Sequence, residues 1–286
     1  MLKYIQFILS EYYYGIMADE LEEIQDEVKP HGVSITMKQM TKVRENLKAV
    51  TEQASGDTLF ITDEEEMLNQ LLYAGAYAIA LYHDHNRNCT FSATLYAVEN
   101  VKQLEFRTYD EVYRRLAELP WDILETPRLL VRESTIADVE EFYKIYQHPS
   151  VLRYVENLFL EHDEERAYMK DYIKQIYGFY GYGLWTVVLK ETGQIIGRAG
   201  LSVRSGYGLP ELGFVIAAQV QRKGYAFEVC RAILDYAKNE LQFDQVQAFT
   251  DVTNIASQSL LKKLGFSFKE EVTDGDHSYL RFHLTT

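Results

Sequence analysis

A largely apolar run, "ELGFVIA" (211–217), with β-branched Val215 and Ile216, is followed a few residues later by "AFEVCRAILDYAK" (226–238). In the second stretch Ala226, Val229, Cys230, Ile233 and Ala237 keep helical spacing. A strand that feeds an amphipathic helix is the step from which α/β folds are built. Between the two lies Gln221-Arg222-Lys223-Gly224-Tyr225-Ala226, with one glycine, two adjacent cations and no proline. Cations are disfavoured at a helix start, where the macrodipole is already positive. An anion would reverse that penalty, because the free N–H groups of a helix start make a phosphate site. The N–H groups of 222–226 can converge on a diphosphate as backbone nests do. The other reading of these six residues is an ordinary turn with a solvated Arg-Lys pair.

The 286 residues suffice for two ordinary domains or one large one. With 47% hydrophobic and 25% charged residues the composition is that of a globular protein. Its longest apolar runs fall short of the roughly 18 residues a membrane span needs, so no membrane is expected. The opening "MLKYIQFILSEYYYG" reads as structure: Glu11 and a run of tyrosines follow the apolar stretch, with no small-residue cleavage site. Cys89 and Cys230 form neither a disulfide framework nor a metal spacing, and the expected compartment is the reducing cytoplasm. A net charge of −14 argues against a nucleic-acid partner and suits a cationic substrate such as an amine. The surplus acid sits mostly in the first 120 residues.

Along the first part, helices are expected near 14–28 and 34–53, the second from the spacing of Val33, Met37, Met40 and Val43. Lys29-Pro30-His31-Gly32 breaks the chain between them. A strand at "TLFIT", a helix from Asp63 to Ala74, a strand at "AYAIALYH", a short strand near "ATLYAV" and a helix over Asp110–Leu119 follow. This order predicts a helical segment with a small, parallel, Rossmann-like α/β sheet. "ELPW" (118–121) marks a seam, giving domains 1–122 and 123–286. In the second, strands are expected at "RLLVRE", 184–190, 194–203, 210–217, 246–252, 266–272 and 278–284. Helices are expected at 136–147, 163–176, 224–240 and 256–264.

The stretch "PELGFVIAAQVQRKGYAFEVCRAILDYAKNELQFDQVQAFTDVTNIASQSLLKKLGF" resembles the GNAT acetyltransferases, most closely their ribosomal-protein N-terminal acetyltransferase-like branch. The resemblance runs over about 126–285, from "ETPRLLVRE" to the closing hairpin. It includes "YGLWTVVLKETGQIIGRAGL" and the spacing Asn254-x-x-Ser257 ahead of Gly265-Phe266. It implies an α/β fold: a mixed, twisted sheet whose fourth and fifth strands splay apart. It also implies acetyl-coenzyme A as co-substrate, its pyrophosphate on Gln221, Arg222, Lys223, Gly224, Tyr225 and Ala226. By the same likeness the main chain of Phe214, Val215 and Ile216 holds pantetheine and Asn254 contacts the coenzyme. Many members carry a tyrosine four residues before the final Gly-Phe as the acid for the leaving thiolate. Leu261 stands there in this chain, and Ser257 is the replacement the resemblance suggests, against a purely helix-capping or packing role.

Glu211 matches the acidic residue before Gly-Phe/Tyr on the fourth strand. It is the candidate base for the substrate ammonium, its alternative being a solvated strand-edge carboxylate. Tyr182 and Trp185 are candidate walls of the acceptor pocket, or core residues of the second strand. Asp274-Gly275-Asp276-His277-Ser278 imitates a phosphatase or calcium motif but reads as a hairpin turn. His83-Asp84-His85 lacks a third ligand, so no metal is expected. Residues 58–118 weakly resemble the second half of a haloacid dehalogenase-type phosphatase without its nucleophile. The expected function is acetyl transfer to a primary amine, of a protein N-terminus or a small molecule. The alternative is a coenzyme A sensor that acts through the first domain.

Overall fold

In the computed structural model of the chain, residues 1–44, 56–94, 96–155, 157–275 and 277–286 are described. They divide into two contiguous units, Met1–Leu119 and Pro120–Thr286. The division falls inside "ELPW", three residues before the expected boundary at 122. Trp121 belongs to the second unit because its N–H donates to the Glu133 carboxylate (3.1 Å) and its carbonyl accepts from Glu133 N–H (2.9 Å).

The first unit runs β1 (Tyr4–Leu9), α1 (Glu11–Ala18), α2 (Leu21–Val28), β2 (Ser34–Gln39), α3 (Met40–Arg44), β3 (Thr58–Thr62), α4 (Glu65–Tyr73), β4 (Tyr77–Leu81), β5 (Ala97–Val98) and α5 (Phe106–Leu116). Its strands form one parallel sheet in the order β2-β1-β3-β4-β5. Strand alternation gives the sheet two buried faces. Ile5, Phe7, Leu9, Leu59, Ile61, Ile79 and Leu81 cluster with Met17, Ile24, Val28, Tyr109 and Tyr113 of α1, α2 and α5. Ile8, Phe60, Ala78 and Ala80 cluster with Met67, Leu68 and Leu71 of α4. The helix expected over 34–53 is corrected at its start: Ser34–Gln39 pairs residue for residue with β1. Residues 45–53 of that expectation lie outside the described residues.

The second unit runs β6 (Asp122–Glu125), β7 (Leu129–Arg132), α6 (Val139–Tyr146), α7 (Pro149–Leu152), α8 (His162–Tyr172) with a π-helical continuation over Ile173–Tyr177, β8 (Leu184–Leu189), β9 (Ile195–Val203), β10 (Pro210–Ile216), α9 (Tyr225–Asn239), β11 (Gln245–Asp251), α10 (Ile255–Lys263), β12 (Ser267–Asp274) and β13 (His277–Thr285). Its sheet has the order β12-β13-β11-β10-β9-β8-β7-β6, antiparallel throughout except at β10–β11. The fold is thus α/β with a mixed sheet. One face packs on α6 and α8, where Arg198 lies 4.8 Å from the Phe142 ring. The other packs on α9, where Trp185 meets Tyr236 edge-on at 5.8 Å. A buried network locks β7 to the start of α6: Arg132 grips Asp138 through two bonds of 2.7 and 2.8 Å, and Thr135 N–H and the Thr186 hydroxyl add two of 2.9 Å.

Candidate active site

The sheet opens between β10 and β11. These parallel neighbours share a single register pair, Glu211↔Gln247, near the start of each strand. On its other side β10 pairs with β9 along its whole length, from Pro210↔Val203 to Ile216↔Gly197. Ala217 N–H donates to the Ile196 carbonyl (2.8 Å). By antiparallel alternation the main chain of 211, 213 and 215 therefore also faces β9, and that of 212, 214 and 216 faces the opening. Gln221 Nε2 reaches the Ile216 carbonyl at 2.8 Å, as that orientation requires. Of residues 214–216, Val215 has its main chain turned to β9, which leaves Phe214 and Ile216 facing the gap.

Because β10 and β11 are parallel, the segments that follow them emerge at the same end. After β10 comes the 221–226 loop. Arg222 (φ 65°) and Gly224 (φ 86°) are both left-handed, and Gly224 caps α9 with no side-chain bond. A non-glycine residue is uncommon in that region. Among the described residues the N–H groups of 222–227 have no protein acceptor; the first helical bond runs from Glu228 N–H to the Gly224 carbonyl (3.0 Å). Unpaired donors, a glycine where the backbone is most accessible, and the exposed side chains of Arg222 and Lys223 fit an anion. After β11 comes α10, capped by Asn254 Oδ1, which accepts from Ser257 N–H (3.1 Å). The cap is thus Asn254, and the Ser257 hydroxyl is left out of it. Leu261, where a tyrosine acid would stand, is fully buried.

Glu211 lies on the face of α6 and α8 and is held by Arg204, with Nε to Oε2 at 2.7 Å and the second guanidinium nitrogen to Oε1 at 3.3 Å. The Arg204 guanidinium in turn lies 4.5 Å from the Phe249 ring, beside a Tyr207–Phe249 edge contact of 4.9 Å. Trp185 and Tyr182 do not join this group. Trp185 is wholly buried, and as the register partner of Ala199 it lies on the opposite face, that of α9. Tyr182 packs edge-on to Phe243, just beyond α9 (5.4 Å). Strand alternation sends the largest apolar ring to the core, which favours the core-residue reading of Trp185.

An open cavity of about 540 Å³ flanks the loop, lined by Thr126, Arg128, Gly224, Glu228 and Arg231 among others and by no residue of β10 or β11. Sequence reading missed Thr126, Arg128 and Glu228: nothing in the spacing links residues about a hundred positions apart.

Residues 128–267 match the acetyltransferase (GNAT) domain family. They form a GNAT acetyltransferase domain. The GNAT match lies wholly within the second unit and covers none of the first. The chain is 29% identical over 143 residues to the uncharacterized N-acetyltransferase YnaD of Bacillus subtilis, spanning 50% of this chain and 81% of that one. It is 28% identical over 145 residues to YoaA of the same organism, spanning 50% and 82%. Among solved GNAT-fold structures it superposes on the acetyltransferase from Agrobacterium tumefaciens with a TM-score of 0.50 at 21% identity, over 57% of this chain and 94% of that one. On RimL, the ribosomal L7/L12 alpha-N-protein acetyltransferase, the TM-score is 0.51 at 11% identity, over 59% and 97%. The protein is an acyltransferase.

The other motifs have partners of their own. His83 Nε2 faces Asp63 (3.2 Å) and its Nδ1 accepts from His85 N–H (3.2 Å), so both ring nitrogens are occupied within the first unit. Asp274 and His277 are register partners at the β12–β13 turn, with Gly275 at φ 59°.

Proposed function

We propose that the chain transfers an acetyl group from acetyl-coenzyme A to a primary amine by direct attack. The observation that carries this reading is the single-pair junction of β10 and β11, with unpaired N–H groups of 222–227 at the mouth of the opening. A solved complex of RimL with coenzyme A supports the donor. The donor supplies an activated acyl carbon; the chain supplies the rest. The gap-facing main chain of Phe214 and Ile216 holds the donor and polarises its carbonyl. The 221–226 loop takes the diphosphate and Asn254 the coenzyme beyond it. Glu211 accepts the ammonium proton, directly or through water, once Arg204 releases it. Ser257 assists the departing thiolate, whose ordinary pKa near 8.5 demands little help. An α-amine with pKa near 8 is about one-tenth neutral at pH 7, against under about one part in a thousand for a lysine-like amine. The acceptor proposed is therefore an α-amine, of a protein N-terminus or a small molecule, with the cytoplasm as the place of action.

A second reading, a coenzyme A sensor, draws on two observations: buried Leu261 at the acid position and Glu211 tied to Arg204. Turnover separates the two. Thiol release from acetyl-coenzyme A by the full chain is measured across a panel of peptides and small amines. Acceptor-dependent release is expected; tight donor binding with no release for any amine would favour the sensor.

A further inference from the structure

Glu228 stands four residues after Gly224, on the same face of α9. Side chains on a helix lean toward its N-terminus. A carboxylate so placed is the natural internal anion for the unpaired N–H groups of 222–227. It is turned the other way. Its Oε1 accepts from the Thr126 hydroxyl (2.6 Å) and from Arg128 N–H (3.1 Å), and Oε2 accepts from Arg128 Nε (2.6 Å). Burial, the largest influence on this carboxyl, pushes its pKa up; Thr126 and Arg128 outweigh it and hold the group below the usual range. Glu228 is thus a fixed negative charge drawn to the β6–β7 connection. The same guanidinium donates to the Lys223 carbonyl (3.0 Å) and lies 4.3 Å from the Tyr225 ring. Lys223 is the residue between the two left-handed positions, Arg222 and Gly224.

We propose that Arg128 is a positioning residue for the diphosphate loop. With Thr126 it withholds the Glu228 carboxylate from the helix start, and it pins the Lys223 carbonyl so that the N–H groups of 222–227 stay open to a diphosphate. This rests on the reading that the loop receives the donor's diphosphate. Arg128 acts through the loop and touches no reacting atom.

The test uses the full chain with Arg128→Met, Glu228→Gln and the double variant. Coenzyme A and inorganic pyrophosphate are titrated by calorimetry, and KM is measured for acetyl-coenzyme A and for S-acetylpantetheine, which lacks the diphosphate. Arg128→Met should weaken both titrants about tenfold, the scale of a lost charge-assisted bond. It should raise the acetyl-coenzyme A KM to match, keep kcat within about twofold, and leave the S-acetylpantetheine KM unchanged. The double variant should recover to within about threefold of the parent, because the competing carboxylate is gone. Thr126→Val, which frees Oε1 alone, should show a smaller loss of the same pattern and serves if the Met chain does not fold.

Equal loss for both donors would mean a fold-wide effect and overturn the proposal. Failure of Glu228→Gln to rescue would make Arg128 a direct phosphate ligand or a simple hairpin tie, and would overturn it too. A parent chain that binds pyrophosphate but not coenzyme A would end the donor reading, while the pyrophosphate titrations still decide the role of Arg128. A parent that binds neither would end both.

Discussion

Glu211 and Asp138 show how differently two carboxylates in one unit are used. Glu211 is gripped by Arg204 beside the β10–β11 junction, and its side chain is 14% exposed. Glu211→Gln should lower kcat by about 10²–10⁴-fold, the usual cost of losing a general base, and change the acetyl-coenzyme A KM far less. A variant that keeps nearly full kcat at neutral pH would leave Glu211 as Arg204's structural partner. Asp138 is nearly inaccessible. Burial is the largest influence on it and works to raise its pKa, but Arg132, Thr135 N–H and Thr186 together bring it below the ordinary 3.8. A depressed carboxyl stabilises the fold above its unfolded pKa and loses that contribution as pH falls through the folded value. Acid melts of the parent should therefore steepen below about pH 4. Asp138→Asn, which leaves the half-buried Arg132 without its charge partner, should cost about 2 kcal/mol at pH 7 and lose part of that acid slope. Chemical denaturation at pH 7 and pH 3 measures both.

The elements were legible in proportion to how locally they are determined. Strand β10 and helix α9 follow from apolar periodicity, and the loop between them from one glycine and two cations. The donor loop can therefore be tested by a single change. Gly224 sits at φ 86°, where a β-branched residue is strained whatever space surrounds it. Gly224→Val should weaken coenzyme binding at least tenfold if the strain reshapes the nest; equal affinity in a folded variant would remove the loop from the site. Strand β2 was misread as helix because Val33, Met37, Met40 and Val43 satisfy helical spacing while Ser34–Gln39 also alternates well enough to pair. Its state is decided by the free edge of β1, a partner about thirty residues away, and no local window contains that partner. The site divides the same way. The places of Asn254 and Gln221, each just after a strand, follow from local pattern, whereas the face of Trp185 and the direction of the Val215 main chain depend on sheet register. The Thr126–Arg128–Glu228 tie joins residues that meet only when α9 packs beside the β6–β7 connection.

At the scale of the whole molecule, the two contiguous units make the chemistry separable in principle. All the residues assigned to the donor and acceptor, with Thr126 and Arg128 that hold the donor loop, lie in the unit that begins at Pro120. A fragment of 120–286 should unfold cooperatively and bind acetyl-coenzyme A within about threefold of the full chain, since it carries its own core. Calorimetry on both would show it; a folded fragment without affinity would give the first unit part of the donor site.

The single-pair junction of β10 and β11 also leaves a signature readable in heavy water. Amide protons at Gly213 and Val215 are locked into the ladder with β9, while those of Phe214 and Ile216 point into the opening. Along one short strand, deuterium should then enter at every second position, fast at 214 and 216 and slow at 213 and 215. Saturating coenzyme A should erase the alternation by slowing the fast pair alone, and a uniform strand in the free protein would mean that the sheet closes without its substrate.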